Sequence, residues 1–287
     1  MSRTLFARIS AGALLLTGCW IAYTQTQGKQ PPALTLNKVK DDLYEIEGDG
    51  GNVAVYVTGE GVILVDDKFE QDYENIMAKV KSVTEQPVKY VVSTHHHSDH
   101  SGGNVKFIST AEIISTANAR ANIVEHKQPG APANMTPARV VFTEEASVFL
   151  GGKEVRARCF GRGHTNGDAV VYFPALRAIH TGDLMAGTTP LIDYAGGGSL
   201  KAWTQTLDGA LQLDFDTVIP GHGPVTTKAG LLAYRNNVEK LCNRAAGLIH
   251  EGKSQEEVGQ VMAAEFGWGP KSMQAQWSLP GMMRELK

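Results

Sequence analysis

The chain has 287 residues, a formal net charge of −3, 42% apolar and 20% charged residues. That is ordinary globular composition, long enough for a sizeable core. A weak negative charge excludes the basic footprint of a nucleic-acid-binding protein. Three cysteines, Cys19, Cys159 and Cys242, exclude a disulfide framework. Cys159 and Cys242 read as free thiols in preference to a single bridge.

Residues 1–23 read as an export signal. Arg3 and Arg8 form a positive start, and Ile9 to Thr17 is apolar but too short to span a bilayer. Leu16-Thr17-Gly18-Cys19 resembles a bacterial lipobox, which implies lipidation of Cys19. An ordinary cleaved signal and an uncleaved anchor running through Tyr23 are the other readings. The expected location is the periplasm or cell envelope, with any membrane contact made through that N-terminal lipid or anchor. Residues 24–35, polar and carrying Pro31-Pro32, read as a flexible tether. The folded domain is expected from residue 36 to 287, with a helical C-terminal portion from about 227.

Within that domain, 42–48, 52–58 and 61–66 alternate or run apolar between glycine turns and read as strands. Residues 69–83 place Ile76, Val80 and Val83 at helical spacing. Residues 88–94 form a buried strand that stops at a histidine cluster. A short helix, a strand at 112–115, a helix at 117–126 and a Pro/Gly/Asn-rich loop at 128–137 follow. Strands are expected at 138–142, 146–150, 153–160, 168–173, 177–181 and 217–220, with helices at 200–213, 227–250 and 254–266. Strand blocks and helices alternate in two similar halves, which predicts two sheets packed face to face with helices outside.

The chemistry is concentrated in Thr94-His95-His96-His97-Ser98-Asp99-His100-Ser101-Gly102-Gly103. His95 and His97 share one side of an extended backbone, and Asp99 and His100 follow where the chain turns into a helix. Such groups suit zinc, while iron and manganese accept the same donor types. His164 in a Gly-Arg-Gly-His loop, Asp183 after Thr181-Gly182 and His222 in Gly-His-Gly add three donors at strand ends or beside glycines. His96 should point away from its neighbours as a packed or supporting residue, and His180, His126 and His250 read as structural. The segment 185–199 after Asp183 is expected to face substrate. Within it, Tyr194 is a candidate hydrogen-bond donor to an oxyanion. Arg162 reads as a surface arginine or an attractor of anions.

The His-x-His-x-Asp-His run with its three spaced partners resembles the metallo-β-lactamase superfamily over roughly residues 40 to 225. The resemblance implies the four-layer αββα sandwich. It implies one metal on His95, His97 and His164, a second on Asp99, His100 and His222, and Asp183 bridging both, two zinc ions in all. Two such cations lower the pKa of a shared water, and the resulting hydroxide attacks a carbonyl that one metal polarises. Asp99 would orient that nucleophile and take its proton. Asp183 is similar to the bridging aspartate of the glyoxalase II and lactonase branches; true β-lactamases of this fold generally lack it. The glutathione-binding basic residues of glyoxalase II have no clear match. His97 stands where the flavodiiron branch carries Glu. The expected activity is hydrolysis of a small ester, lactone or thioester. A metallo-β-lactamase and a mononuclear iron persulfide dioxygenase are the alternatives.

Overall fold

The computed structural model describes residues 33–287. The expected signal, Cys19 and most of the tether lie outside them. The core reaches slightly further back than the sequence suggests. Leu34 is buried and the first strand begins at Thr35.

Sheet order follows chain order. Strands β1 (Thr35–Lys40), β2 (Leu43–Glu47), β3 (Val53–Val57), β4 (Val62–Val65), β5 (Val88–Val92), β6 (Glu112–Thr116) and β7 (Val140–Phe142) form one sheet in sequence order. Pairing is antiparallel from β1 to β4 and parallel from β4 to β7. The second sheet runs β13 (Thr226–Thr227), β12 (Thr217–Ile219), β11 (Ala178–His180), β10 (Val170–Phe173), β9 (Lys153–Arg158) and β8 (Glu145–Leu150). Only β11 and β12 pair in parallel among its described strands.

Side-chain alternation explains the layers. Ala54, Tyr56, Ile63 and Val65 face inward and join Val155, Ala157, Val171 and Phe173 of the opposite sheet. Val53, Val55, Val62 and Leu64, one residue out of phase, face outward. There they meet Ile76 and Val80 of α1 (Tyr73–Lys81) and Phe107 of α3 (Asn104–Phe107), which lies in the chain between α2 (Ser98–Ser101) and α4 (Ala117–Val124). A strand buried on both faces needs no polar residue, so Val62–Val65 reads Val-Ile-Leu-Val. The outer face of the second sheet, through Val170, Ile179 and Val218, packs on α5 (Leu200–Leu211), α6 (Lys228–His250), α7 (Gln255–Phe266) and α8 (Leu279–Glu285). The result is the expected helix–sheet–sheet–helix sandwich.

Helix starts follow capping chemistry. Ser199 accepts from Ala202 N at the head of α5. Ser254 and Glu257 form a reciprocal capping box on α7. Four elements had no clear sequence signal: β1, the two-residue β13, a five-residue π turn at Gln274–Ser278, and α8. No described helix is long and apolar enough to cross a membrane. Cys159 and Cys242 are free and half-buried.

Candidate metal centre

The seven predicted ligands converge. His95 follows the end of β5, and His97 precedes the short helix α2 (Ser98–Ser101), which carries Asp99 and His100 in its single turn. His164 lies on the loop between β9 and β10. Asp183 sits in a 3₁₀ turn directly after β11, and His222 follows β12. The parallel pair β11 and β12 therefore delivers Asp183 and His222 side by side at its carboxyl end. Gly221 makes that approach possible, since a Cβ there would collide with Asp183 Oδ1.

Four overlapping sets of donor atoms lie close enough to share an ion. His95, His97 and His164 form one, and Asp99, His100 and His222 another; His95, His100 and Asp183 link the two, and His96, His97 and Asp193 form a fourth beside them. Asp183 addresses both of the first two. Its Oδ1 is 3.2 Å from His100 Nε2 and 3.5 Å from His222 Nε2, and its Oδ2 is 3.7 Å from His164 Nε2. His222 Nε2 is also 3.2 Å from Asp99 Oδ2. The open side is formed by Asp99 and His222, whose side chains are 25% and 36% exposed. The other five are buried.

Hydrogen bonds made by the far side of the His164, His97 and His100 rings fix which nitrogen faces inward. His164 Nδ1 donates to Leu191 O at 2.6 Å, so its Nε2 presents a lone pair. His97 Nε2 donates to Asp193 at 2.9 Å, leaving Nδ1 bare. His100 Nδ1 donates to Asp66 Oδ2 at 2.8 Å, leaving Nε2 bare. His95 Nδ1 lies 3.1 Å from Thr94 Oγ1, and its buried Nε2 has no partner. Asp183 Oδ1 is likewise buried and unpartnered.

These atoms test the fit of a metal directly. His97 Nδ1 and His164 Nε2 face one another at 2.9 Å. Two lone pairs at that distance repel unless a cation lies beside both. Burial of unpaired acceptors costs about 1–3 kcal/mol each, so an arrangement that aims several at one point needs a cation to stabilise it. The residues fit a pair of divalent ions. Burial, aided by His100, His164 and His97, holds the His95 imidazole well below its usual pKa. Burial above all, with help from His97, lowers His164 to about 4. Both rings therefore remain neutral ligands at physiological pH. Burial also opposes charge on His100, but Asp183, Asp99 and Asp66 outweigh it and raise that ring well above the usual range. Three carboxylates around one imidazole are the charge distribution a divalent cation neutralises.

A structural family assignment follows from sequence comparison. The model of the metallo-β-lactamase superfamily matches residues 46–222, more than half of the chain. The chain belongs to the metallo-β-lactamase superfamily. A metallo-β-lactamase type 2 from Elizabethkingia meningoseptica is 25% identical over 209 residues, covering 68% of this chain and 81% of that protein. A hydroxyacylglutathione hydrolase from Nostoc punctiforme is 30% identical over 159 residues, covering 50% and 54% respectively. The solved structure of a metallo-β-lactamase from Pontibacter korlensis superposes with a TM-score of 0.63 at 20% identity, covering 72% of this chain and 99% of that one. That likeness confirms the αββα fold. This superfamily member is a metallo-hydrolase.

Several residues differ from their sequence-based expectation. Tyr194 does not offer its hydroxyl to the cluster. It donates to Glu285 Oε2 at 2.7 Å, tying its loop to α8. Arg162 is exposed, in keeping with a surface arginine, and its guanidinium donates to Gly197 O and Gly198 O and so clamps the same loop. That loop, 185–199, supplies the partners of His164 and His97 as well as flanking the site. His96 turns away from the ligand pocket, as expected, with Nδ1 3.4 Å from Asn122 and Nε2 3.5 Å from Asp193. His180 braces the Asp183 turn by accepting from Gly182 N and donating to Asn52 O.

Three supporting residues have no place in the motif pattern. Asp193 and Asp66 hold His97 and His100 respectively. Lys68, fully buried, donates to Asp49 O and Gly51 O at 2.9 and 2.5 Å. The available signal was Asp66-Asp67-Lys68, three charges directly after the wholly apolar strand β4. Asp193 carried no such signal.

Proposed function

We propose that this metallo-hydrolase cleaves a small ester, lactone or thioester with two divalent ions, zinc being the expected pair. The observation that supports it is the placement of Asp183, whose two oxygens face both donor groups at once. When bound, two such ions supply an activated nucleophilic water and Lewis-acid polarisation of the acyl carbonyl.

The chain's own residues then have distinct roles. His95, His97 and His164 would hold one ion, and Asp99, His100 and His222 the other, with Asp183 shared. Asp99 Oδ2 lies 3.2 Å from His222 Nε2 and 3.6 Å from His100 Nε2, and its side chain is 25% exposed on the open side of the cluster. There it orients the attacking water and accepts its proton. The carbon–oxygen bond forms as the acyl bond to oxygen or sulfur breaks. The proton held on Asp99 passes to the leaving group, and the products are a carboxylic acid and an alcohol or thiol. The hydroxyacylglutathione hydrolase relative, named for a thioester substrate, supports this reading.

β-Lactam hydrolysis is the second reading, supported by the relative named a metallo-β-lactamase type 2. It breaks a carbon–nitrogen bond by the same sequence of proton movements. The N-terminal sequence further supports a location in the periplasm or cell envelope, anchored by a lipid on Cys19. Palmitate labelling that disappears in Cys19→Ala would test that anchor.

The deciding experiment is turnover of p-nitrophenyl acetate, a lactone, a thioester and nitrocefin, each with and without chelator. A chelator-sensitive kcat/KM of about 10⁴ M⁻¹s⁻¹ or more on an acyl substrate, with only trace nitrocefin turnover, supports the first reading. The same rate confined to nitrocefin replaces it with the second. One iron per chain instead of two zinc ions, with persulfide oxidation, would overturn both.

A further inference from the structure

The segment beyond the family match, residues 223–287, is not merely an outer helical layer. Its end crosses the ligand-supporting loop and is pinned to it at two points. Ser278 accepts from Ile192 N at 2.8 Å and donates to Ile192 O at 3.0 Å. Glu285 accepts from Tyr194 Oη and from Leu200 N at 3.0 Å, and from Ser199 Oγ. Ile192 lies between Leu191, which receives the His164 bond, and Asp193, which receives the His97 bond. The register of the C-terminal segment against the metal centre is thereby set.

Trp277 occupies the position just before Ser278, inside the π turn Gln274–Ser278. Short π segments inside helices concentrate at functional sites because they re-aim a side chain at a cost in helix geometry. Here the indole is aimed at His97, with ring centroids 6.0 Å apart and planes at 69°. Its neighbours Leu279 and Met282 join the apolar core between α5 and α8, but Trp277 does not. It remains partly exposed while His97 is buried. A large apolar ring is thus held beside a polar metal centre, unused by the core and open to solvent.

We propose that Trp277 is a specificity-determining residue that packs against the apolar acyl part of the substrate. The indole forms a wall beside the His95–His97–His164 group, so a substrate with an extended alkyl or aromatic acyl chain is preferred over an acetyl compound. A Trp side chain suits such a wall because it offers large contact area with little rotamer entropy to lose. The proposal rests on the acyl-hydrolase reading of the same site.

The test uses the zinc-loaded full-length protein and two zinc-binding probes, acetohydroxamate and octanohydroxamate, titrated calorimetrically. The wild type is expected to bind the octanoyl probe at least about 10-fold more tightly, since the added methylenes leave water against the indole. Trp277→Ala is expected to keep its zinc and reduce that ratio to about 3-fold or less. Trp277→Phe should retain most of the ratio. If Trp277→Ala fails to fold, Trp277→Gln, which keeps a longer side chain than alanine but no apolar ring, decides by the same ratio. In parallel, Trp277→Ala should raise KM for p-nitrophenyl octanoate with kcat nearly unchanged, and leave the acetate ester little affected. An unchanged hydroxamate ratio in the variants, or no preference in the wild type, overturns the proposal. Esters left uncleaved by the wild type would sink the acyl-hydrolase reading, while the hydroxamate ratio would still report on Trp277.

Discussion

Asp66 Oδ2 receives both His100 Nδ1 and Thr94 Oγ1 at 2.8 Å, while its Oδ1 receives Thr94 N at 2.7 Å. One fully buried carboxylate at the end of β4 therefore fixes the end of β5 and the ring of a predicted ligand. Asp66→Asn places an amide where two donors already point. Zinc affinity of the Asp99–His100–His222 group is expected to fall about 10–100-fold. Chelator competition measures it, and an affinity equal to wild type would refute the positioning role.

Asp193 does the same for His97 across 96 positions of sequence. Asp193→Ala should weaken the other zinc site by a similar ~10–100-fold, with activity restored by excess zinc. His97→Ala removes the donor itself and Asp99→Asn the proton acceptor. Both are expected to abolish hydrolysis while far-UV circular dichroism stays near wild type. Full activity in either would reject the assigned roles.

Gly51 lies against His100: a Cβ there would overlap His100 Cε1. Gly51→Ala is expected to displace that imidazole and lower zinc stoichiometry from two toward one. Metal analysis after dialysis reads this directly. A variant that retains both ions would show that the loop yields instead.

Lys68 links stability to pH. Burial lowers its ammonium from 10.5 to about 8, against the opposing charges of Asp72, Asp49 and Glu45. Between those two values the unfolded chain binds more protons than the native one, so unfolding free energy should rise with pH across that window. The contribution is constant below about 8, where both states are protonated. Lys68→Met should flatten the rise, although it leaves the carbonyls of Asp49 and Gly51 without their donor. Urea midpoints at pH values spanning the window compare the two proteins; equal slopes would contradict the assignment.

Metal removal should destabilise the protein as well as silence it. Ions that bind only the native state stabilise it by RT ln(1 + [L]/Kd), about 4 kcal/mol at a thousand-fold excess over Kd. A thermal midpoint indifferent to chelator would argue against a metal in the buried cluster.

Much of this molecule is legible without its tertiary structure. The apolar runs 53–57 and 62–65 identify strands because a sheet buried on both faces tolerates no polar residue. The His95–His100 spacing places four donors at one strand end, since local backbone geometry alone decides where residues two to five apart can point. Strand β1 is hidden because the adjacent polar residues Asn37 and Lys38, on opposite faces of the strand, interrupt any alternation, and β13 because two residues make no period. Asp193, Asp66 and Trp277 are decided only by folding. Each meets its histidine across a separation set by loop path and helix docking, and nothing in local spacing records which loop will return to which ring. Tyr194 shows the converse. It lies beside Asp193 in sequence, yet its hydroxyl belongs to Glu285, because the C-terminal helix packs closely on its ring through Gly281. The ligands are thus a property of short-range geometry, while their orientation and the wall beside them depend on contacts that only a closed chain can make.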